Sequence, residues 1–158
     1  MTSIKPYKIN ISPSRLERLM QKLALADFPD QDDLEKGSWT KGPPVHEIKR
    51  LVDAWQTVFD WRDVETRFNE VPHFMTPIDI SDFGTFDIHF VHKKSTKADA
   101  IPLLFLHGWP GSFYEVVRII NPLVQGDGNA GPTFHVVAPS LIDFGFSSPS
   151  KVNPNTLI

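Results

Sequence analysis

The 158-residue sequence contains no cysteine. This absence excludes disulfide bridges and thiolate metal sites, and it removes any evidence about the redox compartment. An excess of positive charge is also missing, because 16 lysines and arginines stand against 19 aspartates and glutamates. A net charge of −3 gives no basic surface of the kind that binds nucleic acid.

Long hydrophobic runs are absent as well. The longest apolar stretch, Ile101 to Leu106, falls far short of the roughly 18 residues that a transmembrane helix needs. The first ten residues carry no apolar run, so we expect no signal peptide and no membrane anchor. No GxGxxG or Walker-type loop is present, which argues against a nucleotide cofactor. We expect a soluble, cytoplasmic chain.

The first 72 residues predict two amphipathic helices joined by a loop. Ser12 followed by Pro13 is typical of a helix start. The first helix has Leu16, Leu19, Met20 and Leu23 on one face, and the second has Ile48, Leu51, Val52, Trp55, Val58 and Phe59. The polar stretch 31–44, with two glycines and a Pro-Pro pair, predicts the loop between them.

The remaining residues predict strands around a single helix. The predicted elements are a hairpin of strands 74–80 and 85–92, a strand 101–106, a helix 112–120, a loop 121–133 and a strand 134–138. The continuously apolar 101–106 stretch indicates a strand buried on both faces of a parallel sheet. Strand, helix and strand in this order form a right-handed βαβ unit.

A candidate catalytic turn follows the 101–106 strand. His107, Gly108, Trp109 and Pro110 lie between a strand end and a helix start, where ligands bind in open α/β sheets. Glycines there let a substrate approach the backbone, and free amides can face a developing oxyanion. On the residues alone, a tight turn without any catalytic task is an equally good interpretation.

Longer stretches decide between these interpretations. The sequences LLFLHGWPGSFYEV and FHVVAPSLIDFGFS, with LERLMQKLALADFPD, AWQTVFDWRDVETRFNEVPHFMTPID and FDIHFVH upstream, resemble the microsomal type of epoxide hydrolase in the α/β-hydrolase superfamily. The resemblance runs from Pro6 to Ser147. An esterase or dehalogenase of the superfamily would fit the HGxP turn but not the upstream segments.

The resemblance implies an α/β fold in two parts. Residues 1–72 would form an N-terminal helical meander, and residues 73–158 the first strands and helix of an α/β-hydrolase sheet, which would be incomplete. It places the IHFVH strand at an edge of that sheet. It also implies that the backbone amide of Trp109 forms half of an oxyanion hole within the turn of His107, Gly108 and Pro110, with a cis Trp109–Pro110 bond.

The implied chemistry is hydrolysis of a small apolar epoxide to a diol without cofactor or metal. In the family an aspartate attacks an epoxide carbon, a His–acid pair hydrolyses the resulting ester, and two lid tyrosines donate to the epoxide oxygen. The 158 residues contain no Asp elbow after Ser147, no lid and no late histidine. They also have Ile142-Asp143 where the family usually has Pro-Gly. We therefore expect a shortened, inactive chain with no nucleophile.

Other readings of the same residues remain. The alternative function is a non-catalytic module that binds a partner or a full-length relative, or self-associates through exposed apolar surface. Asp143 paired with His107 is a tempting substitute site, but a solvated loop carboxylate is the better interpretation. Tyr114 is expected to pack. His89 and His92 point to opposite faces of a strand, so they are not expected to share a metal.

Overall fold

The computed structural model describes residues 3–30, 39–40, 42–126, 128 and 131–150. They divide into a helical unit of residues 10–65 and a sheet unit of residues 1–9 and 66–158. Most of the predicted 31–44 loop lies outside the described residues. The sequence-based division at residues 72 and 73 stays a prediction. Among the described residues, no helix is both long and apolar enough to cross a membrane.

The helical unit contains two helices that the sequence predicts and the start of a third. The helices are α1 (Pro13–Ala24), α2 (Val45–Thr57) and α3 (Trp61–Phe68). Ser12 is the N-cap residue of α1 and Pro13 follows at its first position, as expected. The short α3 was not predicted. Its start has a local signal, because Asp60 Oδ1 accepts a hydrogen bond from the Arg62 amide at 2.7 Å.

The carboxylate of Glu65 joins α3 to the chain just before α1. It accepts hydrogen bonds from the Ile11 amide at 2.6 Å, from Trp61 Nε1 at 3.0 Å and from Arg62 Nη1 at 2.6 Å. Arg62 also donates to the Ile11 carbonyl at 2.8 Å. Burial acts to raise the pKa of Glu65, but the hydrogen bonds and the Arg62 charge outweigh it and hold that pKa below its ordinary value.

The sheet unit is built on five strands. They are β1 (Lys5–Tyr7), β2 (His73–Ile80), β3 (Gly84–Lys93), β4 (Ile101–Leu104) and β5 (Phe134–Pro139), in the spatial order β1-β2-β3-β5-β4. β4 runs parallel to β5 and the other pairs are antiparallel. The predicted hairpin and the predicted parallel βαβ pair are confirmed. Asp82 and Gly84 have positive φ in the hairpin turn.

Two expectations are wrong, one about the position of the IHFVH strand in the sheet and one about the burial of the 101–106 stretch. The IHFVH segment lies in β3, which is the central strand because β2 and β5 pair with its two sides. The 101–106 stretch is not buried on both faces: Ile101, Leu104 and Leu106 are 50%, 62% and 57% exposed. Within the described chain β4 pairs only with β5 and so forms an edge. β4 has the apolar sequence of a strand in the interior of a sheet. Within the described chain it nevertheless has a neighbour on one side only.

The single helix predicted over 112–120 is two short helices, α4 (Tyr114–Val117) and α5 (Ile120–Gln125). The Ile119 amide bonds back to the Val116 carbonyl at 3.0 Å, which tightens the chain into a turn. Pro122 has no N–H and its ring conflicts with a carbonyl four residues earlier, so one continuous helix cannot pass through it. Phe113, Val116 and Ile120 are buried along this stretch, and Val117 is half-buried.

Candidate active site

The turn after β4 and the loop after β5 meet at one edge of the sheet. Pairing of the two strands continues beyond β4, because the Phe105 amide donates to the Val137 carbonyl at 2.9 Å. We call residues 107–113 the oxyanion turn, after the role that the resemblance implies for them, and residues 140–147 the β5 loop. Both follow the carboxyl ends of parallel strands, which is where α/β sheets bind their ligands.

The imidazole of His107 joins these two segments. Its Nε2 accepts a hydrogen bond from the Leu141 amide at 3.1 Å, and its ring packs edge-on against Phe144 with centroids 5.0 Å apart. A backbone amide can only donate, so the proton of neutral His107 lies on Nδ1. Nδ1 lies 3.2 Å from the Gly108 carbonyl oxygen and donates to it. With both nitrogens occupied by backbone groups, His107 is buried as a brace and not poised as an acid or base.

The Gly108 carbonyl receives two donors and thereby sets the direction of the next amide. Besides His107, the Gly111 amide donates to this oxygen at 2.7 Å. The Gly108–Trp109 peptide is trans, so its N–H points away from its C=O. The Trp109 amide therefore faces outward, and no acceptor for it is recorded in the described part of the chain. Donors on the carbonyl also polarise that amide.

The rest of the turn has the backbone that the resemblance implies, and it lies beside the side chain of Glu115, which was not predicted. The Trp109–Pro110 bond is cis, as the resemblance implies. Trp109 itself is 85% exposed, so its indole packs little against the described chain. A Cβ on Gly111 would overlap the Glu115 carboxylate, so this glycine leaves space for a charged group beside the turn. Sequence reasoning missed Glu115, whose one signal is its position four residues after Gly111.

Asp143 does not form a site with His107. It is exposed, and its Oδ1 accepts hydrogen bonds from the Ser150 amide at 2.7 Å and the Ser150 hydroxyl at 3.0 Å. These bonds, the backbone one first, hold the pKa of the Asp143 carboxyl below its ordinary value. Its φ of 71° is left-handed, a conformation that glycine adopts freely and aspartate tolerates. The backbone therefore keeps the shape expected of Pro-Gly at this position.

The other candidate residues, Tyr114, His89 and His92, pack within the fold and are not part of the turn. Tyr114 packs on Phe68 with ring centroids 5.0 Å apart. His89 is fully buried against His73 and Ser140, whereas His92 is half-buried on the other face of β3. Within the described ranges, no three His, Asp or Glu side chains lie close enough together to hold a metal ion.

The sheet order, the turn after β4 and its free amide define the front portion of an α/β-hydrolase. The family model for the epoxide hydrolase N terminus matches residues 4–116. The chain belongs to this epoxide hydrolase family.

Curated relatives and solved structures agree with this assignment. Juvenile hormone epoxide hydrolase 1 of Ctenocephalides felis is 38% identical over 92% of this chain, and epoxide hydrolase 1 of Sus scrofa is 35% identical over 94%. The chain covers 30% and 33% of these two proteins, about a third of their length.

Among solved structures, the Aspergillus niger epoxide hydrolase matches with a TM-score of 0.80 and 29% identity. The juvenile hormone epoxide hydrolase of Bombyx mori matches with a TM-score of 0.80 and 27% identity. Each match covers 96% of this chain, and 38% and 39% of the respective solved chains.

Proposed function

We propose that this chain supplies the oxyanion turn of an epoxide hydrolase, with the backbone amide of Trp109 as the hydrogen-bond donor. In this reaction a carboxylate oxygen attacks an epoxide carbon and the ring C–O bond breaks, which leaves an ester and an alkoxide that takes a proton from the donors to the epoxide oxygen. Water, which gives up a proton to the base, then attacks the ester carbonyl, whose oxygen becomes an oxyanion until the bond to the diol oxygen breaks, the diol leaves with a proton and the carboxylate is restored. The Trp109 amide donates to that oxygen, and one such donor contributes on the order of 10²–10³ in rate.

The observation that carries this proposal is an outward amide fixed before any substrate binds. Two donors hold the Gly108 carbonyl, so the Trp109 N–H needs no reorganisation when charge develops. The Leu141 amide in turn fixes the ring of His107. We assign His107, Gly108 and Pro110 to shaping the turn, and the donated proton to Trp109.

We propose a small apolar epoxide as the substrate. The support is the apolar, exposed indole of Trp109 beside the free amide, together with relatives whose names describe juvenile hormone epoxide hydrolases. Among the described residues, the carboxylate beside the turn is that of Glu115, and His107 does not serve as its base because both of its nitrogens bond to backbone groups. We therefore expect the 158-residue chain alone to form no diol. The expected cytoplasmic location likewise stays a prediction.

A direct assay tests the inactivity. The purified 158-residue chain is incubated with an aryl epoxide and the diol is quantified by chromatography against a protein-free blank. No excess diol is expected, and turnover at an enzymatic rate would show that residues present here supply the nucleophile. Reading the coding DNA past the Ile158 codon is a separate test, which decides whether an Asp elbow continues the chain in frame or by splicing.

The role of the turn is tested in the protein extended with such an elbow. A His107→Ala variant removes one of the two donors to the Gly108 carbonyl, so the Trp109 amide is held less firmly. We therefore expect hydrolysis of the ester to slow more than opening of the epoxide, and an ester of the enzyme to accumulate. Intact mass spectrometry during turnover detects that ester. Tyr114→Phe is the matched control, because Tyr114 only packs on Phe68 and its variant keeps the parental rates. Equal slowing of both steps by His107→Ala would contradict a role in the oxyanion step.

The second candidate, a non-catalytic module, is favoured by one observation in each unit. β4 presents an open strand edge in the sheet unit with Ile101, Leu104 and Leu106 exposed. The helical unit has an apolar groove of 420 Å³, lined by Leu16, Leu19, Met20, Trp55, Thr57, Val58, Phe59, Asp60 and Trp61. Open edges and apolar patches favour association. Light scattering after size exclusion tests it: a Leu104→Lys variant should shift any dimer to monomer, and a monomeric parent chain excludes self-association.

A further inference from the structure

A chain of hydrogen bonds crosses the interior of the sheet unit beside the oxyanion turn. His73 Nε2 lies 2.8 Å from the Phe68 carbonyl oxygen, and His73 Nδ1 lies 3.0 Å from His89 Nε2. His89 Nδ1 lies 2.9 Å from Ser140 Oγ. His89 and Ser140 are completely buried and His73 nearly so. Buried imidazoles of this kind need a partner on each nitrogen, and here each has one.

The donor and the acceptor in each of these hydrogen bonds follow from the Phe68 carbonyl oxygen at one end of the chain of bonds. A carbonyl oxygen only accepts, so His73 carries its proton on Nε2 and its Nδ1 accepts. His89 must then donate from Nε2 and accept on Nδ1, and the Ser140 hydroxyl donates to it. This order holds for neutral imidazoles: a second proton on His73 would lie on Nδ1 and face the N–H of His89, and a second proton on His89 would make the Ser140 hydroxyl an acceptor instead of a donor. Burial and the neighbouring His73 lower the pKa of His89 to about 3, and burial lowers the pKa of His73.

His89 contacts both segments that hold the oxyanion turn. At the end of the turn, the ring of Phe113 lies edge-on to His89 with centroids 5.0 Å apart and to His73 with centroids 5.5 Å apart. At its beginning, His107 is held by the amide of Leu141, the residue after Ser140. The first and last residues of the turn are thus both fixed through neighbours of His89.

The β5 loop is fastened to β3 at the same point. The Ser147 hydroxyl donates to the Ser140 carbonyl at 2.7 Å and accepts from the His89 amide at 3.0 Å. The Ser140 amide donates to the His89 carbonyl at 2.8 Å. Gly145 has a φ of 56°, and a Cβ there would lie only 2.5 Å from Ser140 Oγ. The loop therefore closes around the Ser140 hydroxyl, which ties its backbone to the imidazole.

We propose that His89 is a positioning residue for the oxyanion turn, acting through Ser140 on His107 and through its own ring on Phe113. Its importance for catalysis rests on the proposed function of the turn, but its effect on the geometry does not. The sequence marked His89 only as a conceivable metal ligand. The titratable groups recorded against it are His73 and Tyr7, whose ring centroid is 5.3 Å away; the other contacts are Phe113, Phe146 and Ser140.

The wild-type 158-residue chain provides the first test, by long-range ¹⁵N–¹H NMR of its imidazoles. We expect protons on Nε2 of His73 and His89 and on Nδ1 of His107, and we expect His89 to stay neutral well below pH 6.5, the ordinary pKa of histidine. A Nδ1–H tautomer or an ordinary titration of His89 would overturn the proposal. No turnover is measured, so a failure of the proposed epoxide chemistry leaves this test unaffected.

The second test is a Ser140→Ala variant of the same chain, with Ser148→Ala as its control. Ser148 also accepts a hydrogen bond from a β3 amide, that of Asp87 at 3.0 Å, but lies outside the chain of three residues. In Ser140→Ala we expect mixed tautomers at His107 and about tenfold faster hydrogen exchange at the amides of Leu141 and Gly111, because the loop opens locally and their hydrogen bonds to His107 and to the Gly108 carbonyl are broken more often. Ser148→Ala should change neither. A folded Ser140→Ala protein with altered His89 signals but unchanged His107 tautomers and unchanged exchange at Leu141 and Gly111 would overturn the proposal.

Discussion

The Nε2 atom of His107 lies 3.1 Å from the backbone nitrogen of Leu141, 34 residues further along the chain. The imidazole thus links the turn after β4 to the loop after β5, two segments that follow adjacent parallel strands. A side chain that bonds only to backbone groups at both nitrogens acts on geometry and not on protons. The most reactive-looking residue of the HGWP sequence therefore serves the backbone beside it.

Removal of this brace should destabilise the sheet unit. A His107→Ala change leaves the part-buried Leu141 amide without an acceptor and removes the ring that packs on Phe144. We expect the free energy of unfolding in urea to fall by about 1–3 kcal/mol. A His46→Ala change at an exposed site should alter it by less than about 0.5 kcal/mol. Equal effects of the two changes would contradict the bracing role.

Local features of the fold were predictable because their causes lie within a few residues. The start of α1 at Ser12 and Pro13, and the hairpin around the turn at Gly84, follow from capping and from alternation of apolar residues. The cis bond before Pro110 followed from the resemblance to a family.

The rest depends on partners far away in sequence. Periodicity showed that 101–106 is apolar but not that β4 has one neighbour in the described chain. It could not show that β3 is central, since strand order is set by tertiary packing. The site was predicted only at the turn itself. His73, His89 and Ser140 come from two strands and a loop, so no local pattern brings them together.

A comparison of Gly145 with Gly84 distinguishes the stability cost of a left-handed backbone from the cost of a steric overlap. Gly145 and Gly84 both have positive φ, but a Cβ meets Ser140 Oγ at 2.5 Å in the first case and nothing within 4 Å in the second. We expect Gly84→Ala to cost about 1 kcal/mol for the left-handed backbone alone. Gly145→Ala should cost about 1–3 kcal/mol more, because the Ser140 hydroxyl must move. Thermal or urea unfolding of both variants measures the difference, and similar values would rule out a tight contact at Ser140.

Glu65 should stabilise the helical unit more than a surface ion pair of the same spacing does. Glu65→Gln weakens the bonds from Ile11, Trp61 and Arg62, so we expect a loss of about 1–3 kcal/mol near neutral pH. Glu47→Gln, which breaks an exposed pair with Arg50, should cost less than about 1 kcal/mol.

The pKa of Glu65 is lowered on folding, so its contribution is present above the ordinary value of 4.5 and is lost as pH falls through the folded value. Urea unfolding of wild type and Glu65→Gln should therefore converge in acid. A difference that stays constant with pH would contradict a role for the charge.

The histidine pair should make stability depend on pH in a window above the carboxylates. The pKa values of His73 and His89 are lowered on folding, that of His89 to about 3, so the unfolded chain binds more protons below the ordinary histidine value of 6.5. Stability is therefore complete above about pH 6.5 and falls as pH drops, by up to about 1.4 kcal/mol per pH unit for each such histidine. His92, whose pKa is also lowered, adds in the same direction. Urea unfolding between about pH 7.5 and 5 measures this slope before carboxylates titrate. His89→Phe should reduce the slope, and Ser148→Ala, which removes no titratable group, should leave it unchanged; a flat wild-type profile would mean that the buried imidazoles accept protons as readily as in the unfolded chain.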